Sequence, residues 1–135
     1  MGALAAALVL ASKLALGIEP VAFEAKVPAP VRAAVLVFDG IDVPGHRSAI
    51  VRIFVGLPSA NADTPAEDPH YVGEISLVAI SARRKKRPAQ RVELDVPAQL
   101  LRGESLSVTL VPTDAQGRKP AAMEFRLARL ELSIE

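Results

Sequence analysis

"RVELDVPAQLLRGESLSVTLVP", residues 91–112, is the stretch that decides the fold. In its first half Val92, Leu94 and Val96 alternate with Arg91, Glu93 and Asp95, the period of two that gives a strand one apolar and one wet face. In its second half Leu106, Val108 and Leu110 alternate with Ser105, Ser107 and Thr109. Both halves are expected to be half-buried antiparallel strands. Between them, Pro97 suits the first position of a single helical turn over 97–101, and "RGES" at 102–105 marks a turn.

Working outward, "AAVLVF" (33–38) and "AIVRIFVG" (49–56) are nearly continuous apolar runs. Such runs suit strands covered on both faces near the middle of a fold. The closing segment, "MEFRLARLELSIE", has Met123, Phe125 and Leu127 on one parity and Leu130, Leu132 and Ile134 on the other. An extra residue near Ala128 and Arg129, a β-bulge, would let both sets face inward. Turn signals at Asp39-Gly40, Pro44-Gly45 and "DAQGRKP" (114–120) punctuate the runs. With no helix-length pattern between them, the spacing predicts an all-β, antiparallel β-sandwich, jelly-roll-like and of about seven strands, over residues 20–135.

The first residues, "MGALAAALVLASKLALG", read differently. Ala and Leu are strong helix formers, and Gly17 with Pro20 ends the segment, so residues 1–19 are expected to form a short apolar helix and connector. A cleaved signal is the alternative, with Ala15 and Gly17 as small residues at a cleavage site, although no positive charge precedes Leu4. Lys13 falls inside the run, and a membrane span needs roughly 20 apolar residues; none is expected.

Composition excludes more than it selects. The 135 residues fit one domain. Sixteen basic against fifteen acidic residues leave a net charge of +1, so no global field draws the chain to nucleic acid or to an anionic membrane. Cysteine is absent, which removes disulfides, thiolate metal sites and thiol catalysis. His46 and His70 are the only histidines, too few for a copper or zinc site of three or four nitrogen or sulfur ligands. There is no phosphate-cradling glycine loop and no GxSxG nucleophile elbow. Catalytic, cofactor-binding and metal residues are accordingly expected to be none. The one charged cluster is "RRKKR", Arg83, Arg84, Lys85, Lys86 and Arg87. It is a candidate anion site, but it lacks interleaved aromatics for base stacking. A solvated hairpin loop between two strand patterns is the stronger reading, and nucleic acid is not expected as a partner.

Between the strand patterns lies a long loop, "GLPSANADTPAEDPHYVGEISLV" (56–78). Pro58, Pro65 and Pro69 limit its unfolded freedom, and Asn61, Asp63 and Asp68 can form side-chain turns. The loop is therefore expected to be ordered without being buried. Tyr71 should pack on the core with its hydroxyl bonded to backbone.

Together, "VRIFVGLPSANADTPAEDPHYVGEISLV", "AAVLVFDGIDVP", "LSVTLVPTDAQG" and "FRLARLELSIE" resemble the C-terminal domain of tyrosinases and plant polyphenol oxidases. In that family a strand ending in a "VFVNLP"-like sequence enters a Pro- and Asp-rich loop and leaves it by a "YAGSF"-like strand. The matching positions here include Leu57, Pro58, Tyr71 and Gly73, with a structural role. "LALGIEPVAFEAKVP" is similar to the family's connector, which extends the resemblance over residues 14–135. Gly56 stands where the family has Asn, and no "KFDV"-like signature is present, which favours a bacterial-type sequence. The resemblance implies a metal-free β domain that covers the entrance of a separate helical domain, where six histidines hold two coppers and phenols are oxidised to quinones with dioxygen. This chain would hold no cofactor itself, and its partner would be that catalytic domain, in cis or in trans. A bulky loop side chain acts as placeholder in the family; the sequence assigns none here. Two alternatives stand beside this reading: a stand-alone protein- or carbohydrate-binding sandwich, and an accessory chaperone of a separate copper oxidase.

Overall fold

The computed structural model describes residues 6–27, 31–42, 49–77, 90–101 and 105–134. Its strands are β1 (Ala6–Leu16), β2 (Val21–Lys26), β3 (Ala34–Asp42), β4 (Ala49–Val55), β5 (Tyr71–Ser76), β6 (Gln90–Val96), β7 (Ser105–Asp114) and β8 (Phe125–Ile134). They form two four-stranded sheets, in the orders β1-β8-β3-β6 (sheet A) and β2-β7-β4-β5 (sheet B). Every pairing is antiparallel. Leu36, Phe38, Leu130 and Leu132 of sheet A share one apolar cluster with Val51, Ile53, Val108 and Leu110 of sheet B. The sheets thus bury their inner faces against each other, in the strand order of an eight-stranded jelly roll. The helical turn expected after Pro97 is a 3₁₀ turn at Ala98–Leu100.

The N-terminal helix is corrected. Residues 6–16 form β1, which pairs with β8 from Ala6 opposite Ile134 to Leu16 opposite Phe125. Leu8, Leu10 and Leu14 pack against the main core, and Leu16 is buried in it. The helix preference of Ala and Leu is a few tenths of a kcal/mol per residue. A ladder along the free edge of β8, with four leucines driven into the core, outweighs it.

The inward set of β8 changes parity as expected: Phe125 and Leu127 are buried, Ala128 and Arg129 both face out, and Leu130, Leu132 and Ile134 are buried again. The cause is broader than a bulge in one strand, because the register between β8 and β3 does not shift there. Instead β3 changes parity at the same level, with Phe38 and Ile41 both inward around Asp39-Gly40. In β1 Ser12 and Lys13 both face out. Gly40 (φ 70°) and Lys13 (φ 52°) take left-handed backbone on either side of Ala128, so sheet A is kinked along a row that crosses three strands. A Cβ on Gly40 would lie 2.4 Å from the Cβ of Ala128. Asp39-Gly40, expected as a turn, is this kink within β3.

β6 keeps its expected alternation, with Arg91, Glu93 and Asp95 exposed along a sheet edge. β3 and β4 lie at inner positions of their sheets, as continuous apolar runs require. β7 departs from expectation. Its Ser107, Thr109 and Thr113 are buried, not wet; the long loop meets that face at Ser107, Thr109 and Val111, and the Thr113 hydroxyl donates to the Ile50 carbonyl of β4 (3.2 Å).

Candidate functional site

The segment that carries the resemblance, from β4 through the loop to β5, is built on the outer face of sheet B. β4 and β5 pair in register from Ile50–Ser76 to Ile53–Gly73, and then the register slips so that Phe54 faces Tyr71. Val72 is the extra residue. It turns toward the main core, and the slip brings Tyr71 onto the outer face beside Phe54, a bulge re-aiming a side chain. The two rings meet edge to face, with centroids 5.5 Å apart and planes at 65°. Gly73 lies close to the opposite sheet: a Cβ there would come 3.1 Å from Cδ2 of Leu94 in β6, and that side chain would have to give by a few tenths of an ångström.

The loop leaves β4 at Gly56, whose φ of 80° suits glycine. The turn that follows is closed by the Ala60 N–H donating to the Leu57 carbonyl (3.0 Å), with Pro58 at its second position. That turn lays Leu57 and Ala60 over Phe54 and Val111 and makes a second apolar cluster, separate from the main core, with Tyr71 at its margin. Full burial of Phe54 alone is worth roughly 1.5–3 kcal/mol. The Thr109 hydroxyl donates to the Leu57 carbonyl (3.1 Å) and the Gly56 N–H donates to the Ser107 carbonyl (2.9 Å). On the face of β7 that reads as wet in the sequence, the Thr109 hydroxyl is thus satisfied by the loop.

Side-chain turns at Asn61 and Asp68 order the rest of the loop, as expected of those two, and Asp63 enters through its backbone N–H. The Asp63 N–H donates to Oδ1 of Asn61 (2.8 Å), and the Asn61 N–H donates to Oγ1 of Thr64 (3.0 Å). Asp68 Oδ1 accepts from the His70 N–H (2.8 Å) and lies 2.8 Å from His70 Nδ1. These bonds, the backbone one first, hold the Asp68 carboxyl below its ordinary value. The loop closes where the Val55 N–H donates to the His70 carbonyl (2.8 Å).

Tyr71, expected on the core with its hydroxyl bonded to backbone, is instead half-buried in the second cluster, and its hydroxyl donates to the Glu74 carboxylate (2.5 Å). Burial first, and then that bond, push its ionisation well above the ordinary value. Leu57, Pro58, Tyr71 and Gly73 therefore sit together where loop meets sheet, each with a packing or turn role. Ala60, the loop residue buried beside Phe54, was not singled out in the sequence. Its only signal is an apolar residue between Ser59 and Asn61. His46 and Arg83, Arg84, Lys85, Lys86 and Arg87 lie outside the described residues.

Among the described residues, no three His, Asp or Glu side chains come together as a metal site would require, and His70 is engaged by Asp68. No described helix is long and apolar enough to cross a membrane.

No family model matches the sequence, and no curated protein matches it. Solved structures do match the fold. A recombinantly expressed latent aurone synthase, a polyphenol oxidase co-crystallised with hexatungstotellurate(VI), superposes with a TM-score of 0.59 at 15% identity, over 87% of this chain and 24% of that one. A second structure of the recombinantly expressed latent enzyme gives 0.57 at 16% identity, over 86% and 24%. Latent aurone synthase from its natural source gives 0.52 at 16% identity, over 86% and 24%. The fold is shared with one part of a polyphenol oxidase chain. This chain spans about a quarter of the length of those it matches.

Proposed function

We propose that this chain is the non-catalytic C-terminal cover domain of a tyrosinase-like dicopper phenol oxidase. It docks on the helical catalytic domain and shields the entrance to the active site. The observation that carries the reading is the agreement of two independent likenesses. The sequence resemblance falls on β3, β4, the loop, β5, β7 and β8, and the fold likeness to latent polyphenol oxidases extends over 87% of this chain. The quarter of those chains that it spans suits a single domain of a larger protein.

On this reading the chain does no chemistry. The coppers and their histidines belong to the catalytic domain, and latency follows from exclusion of substrate. The described architecture suits a steric obstacle: two sheets with one dry core, and a loop ordered by its own backbone and side-chain bonds. The main rival among binding modules, a carbohydrate-binding sandwich, wants exposed aromatic rings. Here Phe38, Phe54 and Phe125 are fully buried and Phe23 and Tyr71 are half-buried.

The test is to add the isolated chain to a dicopper phenol oxidase of this type truncated before its β domain. Phenol turnover should fall as the chain is added and recover on dilution. Unchanged turnover, with no complex on sedimentation, would refute the docking role.

A further inference from the structure

We infer that the loop Gly56–His70 is a strap that opens as a unit from the outer face of sheet B while the two-sheet core stays folded. Three observations carry this. The apolar contacts of the strap belong to their own cluster, Phe54, Ala60 and Val111 with Leu57 and Tyr71, and its contributions are one buried alanine and one half-buried leucine. Lifting it removes nothing from the main core.

The strap's internal bonds are local. Asn61 to Asp63 and Thr64, Leu57 to Ala60, Pro65 to Asp68, and Asp68 to His70 all close within a few residues. They survive opening. Its ties to the sheet are few: the Thr109 hydroxyl to the Leu57 carbonyl, the Gly56 N–H to the Ser107 carbonyl, and the closing bond from Val55 to His70. Segments with few long-range ties and little buried apolar surface occupy the low end of local opening free energies.

The face beneath the strap is composed to meet water. Ser107 and Thr109 alternate along β7 with inward Leu106, Val108 and Leu110, so an opened sheet B presents these two hydroxyls, with Phe54, Val111 and Tyr71 as an apolar centre. Backbone bonds of the β4–β7 and β4–β5 ladders do not depend on the strap. The device is therefore a reversible cover for one face of the domain. It is independent of whether the domain docks on an oxidase.

Native-state hydrogen exchange on the unmodified chain tests it. The Gly56 and Val55 amides, whose bonds the opening breaks, should exchange roughly ten-fold or more faster than the slowest amides of the β4–β7 ladder, with an opening nearly independent of urea at low concentration. A thiol reporter gives a second measurement, since the chain has no cysteine. Val111 lies under the strap and Val108 faces the main core, and both are 0% exposed. In Val111→Cys the thiol should be modified faster than in Val108→Cys, by the same roughly ten-fold factor. Exchange of Gly56 and Val55 together with the rest of the ladder, at one rate and one urea dependence, would overturn the proposal. So would equal labelling of the two thiols. If a cysteine variant does not fold, exchange on the unmodified chain decides.

Discussion

Replacing Gly40 by alanine tests the kink that runs across β1, β8 and β3. Two costs add at this position. The backbone has φ of 70°, where an L side chain costs about 1–2 kcal/mol. The new Cβ would also sit 2.4 Å from the Cβ of Ala128, an overpacking worth about 1–3 kcal/mol. Against them stands the lower entropy of the unfolded chain, about 0.4–1 kcal/mol for Gly→Ala. The net expectation is a loss of about 2–4 kcal/mol, read from the midpoint of urea unfolding at unchanged slope. Ala128→Gly isolates the steric part. Alone it should cost about 0.5–1 kcal/mol, but in the Gly40→Ala background it removes the opposing Cβ and should recover part of the loss. The double-mutant cycle should thus show a favourable coupling of about 1 kcal/mol or more. Additive effects, or a Gly40→Ala protein within about 0.5 kcal/mol of the parent, would refute the close approach at Ala128 and with it the three-strand kink.

Three further outcomes follow from the loop and its anchors. Phe54→Ala should destabilise by about 3–5 kcal/mol in urea unfolding, since it empties the centre of the second cluster; a loss under about 1 kcal/mol would mean that the loop does not cover that ring. Asp68 has its ionisation lowered in the folded state, so its contribution is present above the ordinary carboxylate range and is lost as pH falls through the folded value. The stability gap between the parent and Asp68→Ala should therefore shrink below about pH 4, and a gap independent of pH would contradict the Asp68–His70 contact. Tyr71 has its ionisation raised, so its contribution is complete below about pH 10 and is lost as pH rises beyond that value. The phenolate absorbance of this single tyrosine should lag that of the unfolded chain, and coincident titrations would show the ring to be free.

Legibility varied with the range of the interactions involved. β6 was readable because its partners, the core on one side and water on the other, are imposed by alternate residues of one short run. β3 and β4 were readable as inner strands because both of their faces are apolar. The parity change in β8 was visible from Leu127 and Leu130, but its cause was not, since it requires Gly40 and Lys13 on two other strands to kink at the same level. β1 was misread because alanine-rich composition favours a helix; the counter-signal was present in Leu8, Leu10, Leu14 and Leu16, which all share one parity. The buried hydroxyls of β7 were not readable at all. Ser107 and Thr109 are covered by a loop far off in the chain, with Thr109 bonded to Leu57 across 52 positions, and a local pattern cannot report that. Leu57, Pro58, Tyr71 and Gly73 stand out in the sequence only through the resemblance; in the structure they make, in that order, a carbonyl bond to Thr109, a turn, an edge-to-face ring contact and a close approach to Leu94.

The central claim is steric shielding of another domain's active site, and steady-state kinetics of the truncated oxidase with this chain added test it most directly. A cover that competes with substrate for the entrance should raise the apparent KM for phenol in proportion to the added chain and leave kcat unchanged. A fall in kcat at constant KM, or no change in either, would contradict the account.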